Sequence, residues 1–208
     1  MTLLIPSGAV TAYTETLAAP VPTPTYGSSG TFTIACSTRI SASPLTTLDV
    51  VLDAPNYPIW NRFCRKCTID DEGPSESKED GKLRLGTKFT FDVYLDADVE
   101  NGSPRPTALK VNVLEPLDYQ GRKGWRVTWG PRSSLLMPEW LLRSERVQEF
   151  TEIPGSSDTE YLCWETFYGP MAHVVKVAVG AKVQRGFELG MEGLKTRAEE
   201  LEKTQNTA

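Results

Sequence analysis

The chain has 208 residues, of which 39% are hydrophobic and 24% charged, and its formal net charge is −5. This length and composition fit one globular domain, or at most two small ones, and exclude a fibrous or wholly disordered chain. The negative charge argues against nucleic acid or an anionic membrane as a partner. No apolar run approaches the roughly 20 residues that a spanning helix needs. Residues 1–6 lack the basic start of a secretory signal. We therefore expect a cytoplasmic protein without stable membrane insertion.

Residues 1–28 are rich in Pro, Thr, Ser and Gly, and four prolines interrupt any regular pairing there. We expect this segment to be a flexible lead-in that carries little of the core. The folded domain is predicted to span residues 29–203. Residues 204–208 are expected to form a disordered tail.

The predicted domain begins with an alternating, β-rich run at 31–36. Ser43 and Pro44 then supply an N-cap and a first-turn proline for a short helix, and a second short helical turn is predicted at 56–60. Six more strand candidates follow, at 63–69, 88–95, 107–114, 124–129, 141–151 and 159–167. The charged run at 70–80 predicts a mobile hairpin tip.

Beyond Gly169-Pro170, apolar residues recur at spacings of three or four from Val175 to Leu201. This period predicts one amphipathic helix from about residue 171 to 203. Glycines at 180, 186, 190 and 193 indicate either close packing of the helix or room for a ligand beneath it.

Six strands joined by short turns should form an antiparallel meander, and one long helix can cover its concave face. The fold class predicted is therefore α+β, a helix-grip in which a curved antiparallel sheet wraps around a long C-terminal helix. Two short helices follow the first strand. A cavity between sheet and helix would take a hydrophobic small molecule.

The four cysteines are Cys36, Cys64, Cys67 and Cys163. Cys64 and Cys67 form a Cys-x-x-Cys, but a tetrahedral zinc site needs two more ligands at similar local spacing. On a strand, positions three apart point to opposite faces, so the two sulfurs should diverge. Ordinary structural thiols and no metal site are expected.

Several segments together resemble the START-like superfamily, which includes Bet v 1-like proteins, lipid-transfer START domains and bacterial polyketide cyclases and dehydratases. The opening of that superfamily's domain resembles this chain at 40–44, 50–53 and 57–61. Its last two strands and the entry to its final helix resemble this chain at 142–150, 159–161 and 164–170. The resemblance covers about residues 30–200 and is strongest to small fungal members, often encoded among genes for secondary metabolites. It implies the helix-grip fold and leaves the chemistry open.

Strand alternation places apolar and aromatic side chains, Val113 among them, on the concave face together with the helix stripe. They either line a cavity for a lipid, terpenoid or aromatic polyketide or simply fill the core. The ligand-binding candidates are Trp60, Phe89, Phe91, Val93, Val111, Trp125, Trp129, Tyr161 and Phe187.

Three residues are candidates for catalysis. Glu165 shares a strand face with Tyr161, and a partly buried carboxylate there is either a proton-transfer group or one half of a salt bridge with Arg146 or Arg143. His173, the single histidine, is either a general base at the cavity mouth or a solvent-facing helix-start residue. Arg146 would stabilise an enolate or alkoxide oxygen.

No phosphate-binding loop, nucleophile elbow or zinc-binding helix motif occurs, so no cofactor is expected. Two functions remain open. The first is a cofactor-free, cyclase-like enzyme of secondary metabolism, promoting ring closure or dehydration by acid–base catalysis. The second is a non-catalytic carrier of a lipid or hydrophobic metabolite.

Overall fold

A computed structural model describes residues 5–71, 73, 81–119, 121–133 and 138–206. The predicted hairpin tip at 70–80 falls mostly outside the described residues. A short 3-10 helix at Ala54–Asn56 lies between the first and the second α-helix, whose bounds are given below. The strands are β1 Tyr13–Leu17, β2 Phe32–Ile40, β3 Cys64–Asp71, β4 Lys88–Val93, β5 Arg105–Tyr119, β6 Arg122–Pro131, β7 Arg143–Glu152 and β8 Thr159–Tyr168. The helices are α1 Pro44–Leu52, α2 Tyr57–Trp60 and α3 Ala172–Gln205.

The described strands form one eight-stranded antiparallel sheet in the order β1-β2-β8-β7-β6-β5-β4-β3. From β3 to β8 each strand pairs with the next in sequence, as predicted for a meander. The long helix α3 covers one face of this sheet. The helix-grip prediction is therefore confirmed. No helix among the described residues is both long and apolar enough to span a bilayer.

The first short helix begins where the sequence predicts. The Ser43 side chain accepts a hydrogen bond from the backbone N–H of Thr46 at 3.1 Å, and Pro44 occupies the first turn. This cap satisfies a donor that has no partner within the helix. The buried face of α1 then joins the main core.

That core lies between the sheet and α3. Residues of α3 such as Phe187, Met191 and Leu194 pack against strand residues of the same face, among them Ile34 and Phe150. Glycines allow the close approach. A Cβ at Gly193 would overlap the backbone carbonyl oxygen of Trp60, and one at Gly186 would overlap the Phe63 ring. At these two positions the packing interpretation of the helix glycines is the correct one.

The N-terminal segment corrects a prediction. Instead of carrying little of the core, it supplies β1, which pairs with β2, and the buried side chains of Ile5 and Val21. These pack on Trp164 and its neighbours on the sheet face opposite α3. Its prolines prevent continuous strand pairing but leave room for one five-residue strand. Hydrogen bonds such as that from Val21 N–H to Thr33 Oγ1 (2.8 Å) attach other parts of the segment to the sheet. At the other end, α3 includes residues 204 and 205, which were predicted to belong to the tail. Residues 207 and 208 lie outside the described part.

Two β-bulges change which side chains face the core. A register shift between Val111 and Val113 turns Leu114, and not the predicted Val113, towards the core. A second shift between Cys64 and Lys66 brings Cys64 and Cys67 into the same buried cluster, although simple alternation predicted opposite faces. An extra residue in one strand shifts the alternation by one position, and sequence parity does not reveal it.

Candidate functional site

Two neighbouring cavities lie between the sheet and α3. The outer cavity has a volume of about 240 Å³ and is bounded by β3 to β8 and α3. The inner cavity is much smaller, about 30 Å³, and lies deeper, next to α2 and β8. The outer walls include Phe91, Val93, Leu109, Trp129, Val175 and Val183. The inner walls include Cys36, Trp60, Gln148, Tyr161, Cys163 and Phe187. Both cavities share Phe63, Cys64, Phe91, Trp129 and Arg146.

A polar group interrupts the apolar wall of the outer cavity. Arg146 on β7 and Glu165 on β8 are direct cross-strand partners, with Arg146 Nη2 3.1 Å and Nε 3.2 Å from Glu165 Oε2. Ser144, two positions before Arg146 and therefore on the same face, donates its hydroxyl to Glu165 Oε1 at 2.7 Å. Both oxygens of the carboxylate are thus held by neighbouring side chains, and the predicted salt bridge with Arg146 is present.

The Arg146 side chain is mostly, but not fully, enclosed by protein. It lies over the Phe187 ring at 4.1 Å from the ring centroid, within the range of a cation–π contact. Burial is the largest single effect and opposes the charged form, but Glu165 together with the smaller contributions of Cys163, Cys64 and Tyr161 outweighs it and raises the pKa of Arg146 above its ordinary value. Arg146 therefore carries a permanent positive charge in a wall that borders both cavities.

The inner cavity has a different, thiol-rich and hydroxyl-rich wall. Cys36 on β2 and Cys163 on β8 are cross-strand partners. The hydrogen bond between the two thiols is the main cause that raises the pKa of Cys36, and burial of the thiol raises it further. Burial opposes ionisation of Cys163 as well, but the hydrogen bond from Cys36 and the charge of Arg146 lower the pKa of Cys163. The Tyr161 hydroxyl donates to Gln148 Oε1 at 2.7 Å.

The ligand-binding candidates separate into three groups. Phe91, Val93 and Trp129 line the outer cavity, and Phe91, Trp129, Trp60, Tyr161 and Phe187 line the inner one. Phe89 and Val111 are fully buried core residues that line neither of the two cavities. Trp125 lies in a separate surface cleft beside Pro44 and Leu45 at the start of α1.

The three catalytic candidates do not all lie at one site. Glu165 and Arg146 are brought together, whereas His173, the second residue of α3, is exposed and lines neither cavity. The sequence interpretation of His173 as a solvent-facing helix-start residue agrees with this position.

Sequence reasoning missed the other polar wall residues. Ser144 and Gln148 share strand parity with Arg146, and this parity was the available signal. Cys163 has the parity of Glu165 in the same way. Their common cavity could not be inferred because it depends on how far α3 stands above the sheet. Among the described residues, no group of three or more His, Cys, Asp or Glu is placed to hold a metal ion.

Comparisons with known proteins agree with this architecture. The chain is 33% identical over 154 residues to the oxopyrrolidines biosynthesis cluster protein O of Penicillium oxalicum, covering 69% of this chain and 75% of that protein. No protein-family model matches the chain.

Solved structures share the fold at low sequence identity. A START superfamily protein from Mycobacterium smegmatis superposes with a TM-score of 0.53 at 15% identity, over 81% of this chain and 98% of that one. The Zhui aromatase/cyclase from Streptomyces sp. R1128 gives a TM-score of 0.56 at 10% identity, over 80% of this chain and 93% of that one.

A curved antiparallel sheet that grips a C-terminal helix over an internal cavity defines the START-like, or Bet v 1-like, class of proteins. The chain shares this fold with those structures, and it belongs to the family of the oxopyrrolidines biosynthesis cluster protein O.

Proposed function

We propose that this chain is a cofactor-independent, cyclase-like protein of secondary metabolism. It binds a hydrophobic intermediate in the outer cavity and promotes ring closure or dehydration. The observation that carries the proposal is the partly buried Arg146–Glu165 pair in the wall of a mostly apolar cavity. The naming of the Penicillium relative after a biosynthesis cluster and of the Zhui neighbour as an aromatase/cyclase supports it.

In the proposed reaction the apolar walls hold a flexible carbonyl-bearing chain in a folded pose, which lowers the barrier by orientation. Glu165 removes a proton from the carbon next to a carbonyl, and the electron pair of the C–H bond moves onto the carbonyl oxygen. Arg146 stabilises the resulting enolate because its charge is permanent and its position is fixed before the reaction begins.

Ring closure then follows without any other reactant. The enolate carbon attacks a second carbonyl, a carbon–carbon bond forms, and the new alkoxide takes back the proton that Glu165 holds. In a dehydration, Glu165 removes a further proton from the carbon next to the carbonyl and passes it to the hydroxyl group, which leaves as water while the electron pair of the C–H bond forms a C=C bond. Neither path changes the oxidation level of the whole molecule.

The test is incubation of the pure protein with a hydrophobic metabolite extract, followed by mass spectrometry of the small molecules. We expect a compound to disappear over many turnovers and a product of equal mass, or lighter by one water, to accumulate. Glu165→Gln should slow this conversion by about 100-fold or more, because proton transfer by a positioned group contributes at least that much. His173→Ala, at an exposed position, is the matched control and should keep the wild-type rate.

The second candidate function, a carrier, is favoured by one observation. Both oxygens of Glu165 are already engaged by Arg146 and Ser144, as expected for an architectural ion pair. Heat-denatured protein controls for losses. Retention of a compound in stoichiometric amount, and its release unchanged, would establish the carrier and exclude the cyclase.

A further inference from the structure

Two of the four buried cysteines face each other directly across two neighbouring strands. Cys36 on β2 and Cys163 on β8 are register partners in an antiparallel pair, and both belong to the core between the sheet and α3. Because partners in register on the same face of a sheet are nearest neighbours, the two thiols are held together by backbone pairing. The mechanism proposed for the outer cavity uses neither of them.

The spacing of antiparallel partners matches the spacing that a disulfide needs. Directly opposed residues have Cα atoms about 4.5 or 5.5 Å apart and Cβ atoms about 4.5–5.5 Å apart. A disulfide joins residues whose Cα atoms are about 4.4–6.8 Å apart and whose Cβ atoms are about 3.5–4.5 Å apart. The sheet therefore holds Cys36 and Cys163 at a separation from which a bond between their sulfurs requires little movement of the backbone.

The other two cysteines provide a comparison within the same core. The bulge between Cys64 and Lys66 places Cys64 opposite Val93 and Cys67 opposite Phe91, which are two positions apart on β4. Two positions along a strand span about 7 Å. Side chains that share a face point the same way, so the Cβ atoms of Cys64 and Cys67 are also about that far apart, too far for a disulfide without backbone movement.

Hydrogen bonding and charge give the two thiols different roles. Burial, the largest effect, opposes ionisation of Cys163, but the hydrogen bond from Cys36 and the charge of Arg146 outweigh it and lower the pKa of Cys163. The same hydrogen bond is the main cause that raises the pKa of Cys36. Because the thiolate is the nucleophilic form, Cys163 is the sulfur that attacks an oxidant and Cys36 is the sulfur that closes the disulfide.

The inner cavity limits the size of that oxidant. Cys36 and Cys163 both line this cavity, whose volume is about 30 Å³. Such a volume holds a molecule of about the size of one or two waters, and hydrogen peroxide is of this size. The two residues are only 1% and 3% exposed, so a larger reagent such as glutathione disulfide is excluded from their sulfurs.

We propose that Cys36 and Cys163 are an oxidative modification site, at which hydrogen peroxide converts the two thiols of the folded protein into a reversible disulfide. The Cys163 thiolate attacks one peroxide oxygen, an S–O bond forms, the O–O bond breaks, and the released hydroxide leaves as water with the proton that Cys163 lost. The Cys36 sulfur then attacks the Cys163 sulfur, an S–S bond forms, and the S–O bond breaks. The second hydroxide leaves as water with the proton of Cys36. Two thiols are oxidised and one peroxide is reduced to two waters.

The test treats the folded chain with hydrogen peroxide, alkylates the remaining thiols and maps the tryptic peptides by mass spectrometry without reduction. Lys or Arg residues stand between all four cysteines, so each cysteine falls in its own peptide. We expect the Cys36 peptide linked to the Cys163 peptide, with two hydrogen atoms fewer than the separate peptides, and loss of the link in dithiothreitol. A link between Cys64 and Cys67 should form at least about tenfold more slowly.

The connectivity distinguishes a site of the folded protein from oxidation of the unfolded chain. In concentrated urea the preferred link should be the one between Cys64 and Cys67, because a short loop closes at a lower cost in entropy than a long one. Cys67→Ala is the matched control, and the folded variant should form the link between Cys36 and Cys163 at the wild-type rate. In Cys36→Ala, the oxidation of Cys163 should stop at a sulfenic acid that dimedone labels.

Two results would overturn the proposal. If the folded wild type forms no link between Cys36 and Cys163, or forms it no faster than the link between Cys64 and Cys67, the pair consists of structural thiols. If dimedone does not label Cys163 in a folded Cys36→Ala variant, Cys163 is not the attacking sulfur. Neither result bears on the proposed function, which uses neither thiol.

Discussion

Arg146 and Glu165 face each other directly across β7 and β8, with Arg146 Nη2 3.1 Å from Glu165 Oε2 and each side chain 16% exposed. Because adjacent strands of one sheet hold both groups, their separation is set by backbone pairing and requires no ligand. Such a pair is costly to bury and costly to break. It therefore links the stability of the domain to the chemistry proposed for its cavity.

The ion pair makes a prediction for stability. Glu165→Leu should lower the free energy of unfolding by about 3 kcal/mol, because it leaves the Arg146 charge buried without a partner. The double variant Arg146→Met/Glu165→Leu should recover much of this loss. Urea unfolding of the four proteins measures the coupling. Additive effects of the two substitutions would contradict a stabilising contact between them.

Two glycines of α3 should respond to alanine substitution with opposite changes in the free energy of unfolding. Gly193→Ala should lower the free energy of unfolding by about 1–3 kcal/mol, because the new Cβ would overlap the Trp60 carbonyl. Gly180→Ala meets nothing within 4 Å and should raise it by up to about 1 kcal/mol through helix propensity. Thermal unfolding followed by circular dichroism measures both. Equal effects at the two sites would contradict the packing assigned to α3.

Glu145 makes a prediction for the N-terminal segment. Its side chain is fully buried, and its carboxylate accepts hydrogen bonds from Thr25 N (2.9 Å), Thr25 Oγ1 (2.5 Å) and Thr128 Oγ1 (2.8 Å). Glu145→Ala should therefore cost about 3 kcal/mol and detach the segment, since three donors lose their acceptor. Glu115→Ala, at a half-exposed carboxylate, is the control.

Limited proteolysis reports the detachment independently of stability. Cleavage in residues 5–28 should accelerate in Glu145→Ala and stay slow in Glu115→Ala. Unchanged cleavage in Glu145→Ala would show that this carboxylate does not hold the segment.

The carboxylate of Glu199 should make the stability of the protein depend on pH. Burial acts against its ionisation, but the hydrogen bond from Lys195 and that from the Ser41 backbone N–H (2.9 Å) together lower the pKa of Glu199 below its ordinary value of 4.5. A depressed folded-state pKa stabilises the protein above pH 4.5, and this contribution disappears as the pH falls through the lowered value. The Glu199 side chain keeps 21% of its surface in solvent, so screening limits the contribution to at most about 1 kcal/mol.

Glu199→Gln should therefore be less stable than the wild type at pH 7, and the difference should shrink as the pH falls below 4.5. Urea unfolding at pH 7, 4 and 3 measures it. A difference that stays constant across this range would show that the hydrogen-bond geometry and not the charge of Glu199 matters.

The sequence predicted the elements whose patterns are local. The three- and four-residue period of Val175, Phe187 and Leu194 places α3 within two residues of its observed ends, and Ser43-Pro44 marks the start of α1 correctly. These features depend on neighbours in the chain, so they leave a visible pattern in it.

Features that depend on distant contacts were missed or misplaced. The five residues of β1 become a strand only because β2 offers an edge to pair with, and Val113 leaves the core because of a bulge that alternation cannot show. Gln148 could be assigned to a face by parity, but the hydrogen bond that its amide oxygen accepts depends on Tyr161 in the next strand. His173 is on the correct helix and outside both cavities.

The most direct test of the account is whether a hydrophobic molecule enters the outer cavity. Titration with the neutral fluorescent probe N-phenyl-1-naphthylamine should give one site per chain. Val183→Trp, which fills the cavity from α3, should weaken binding by at least about tenfold. Val177→Trp, on the same helix at a position 90% exposed, should bind as the wild type does. Equal binding by a folded Val183→Trp variant would contradict the account.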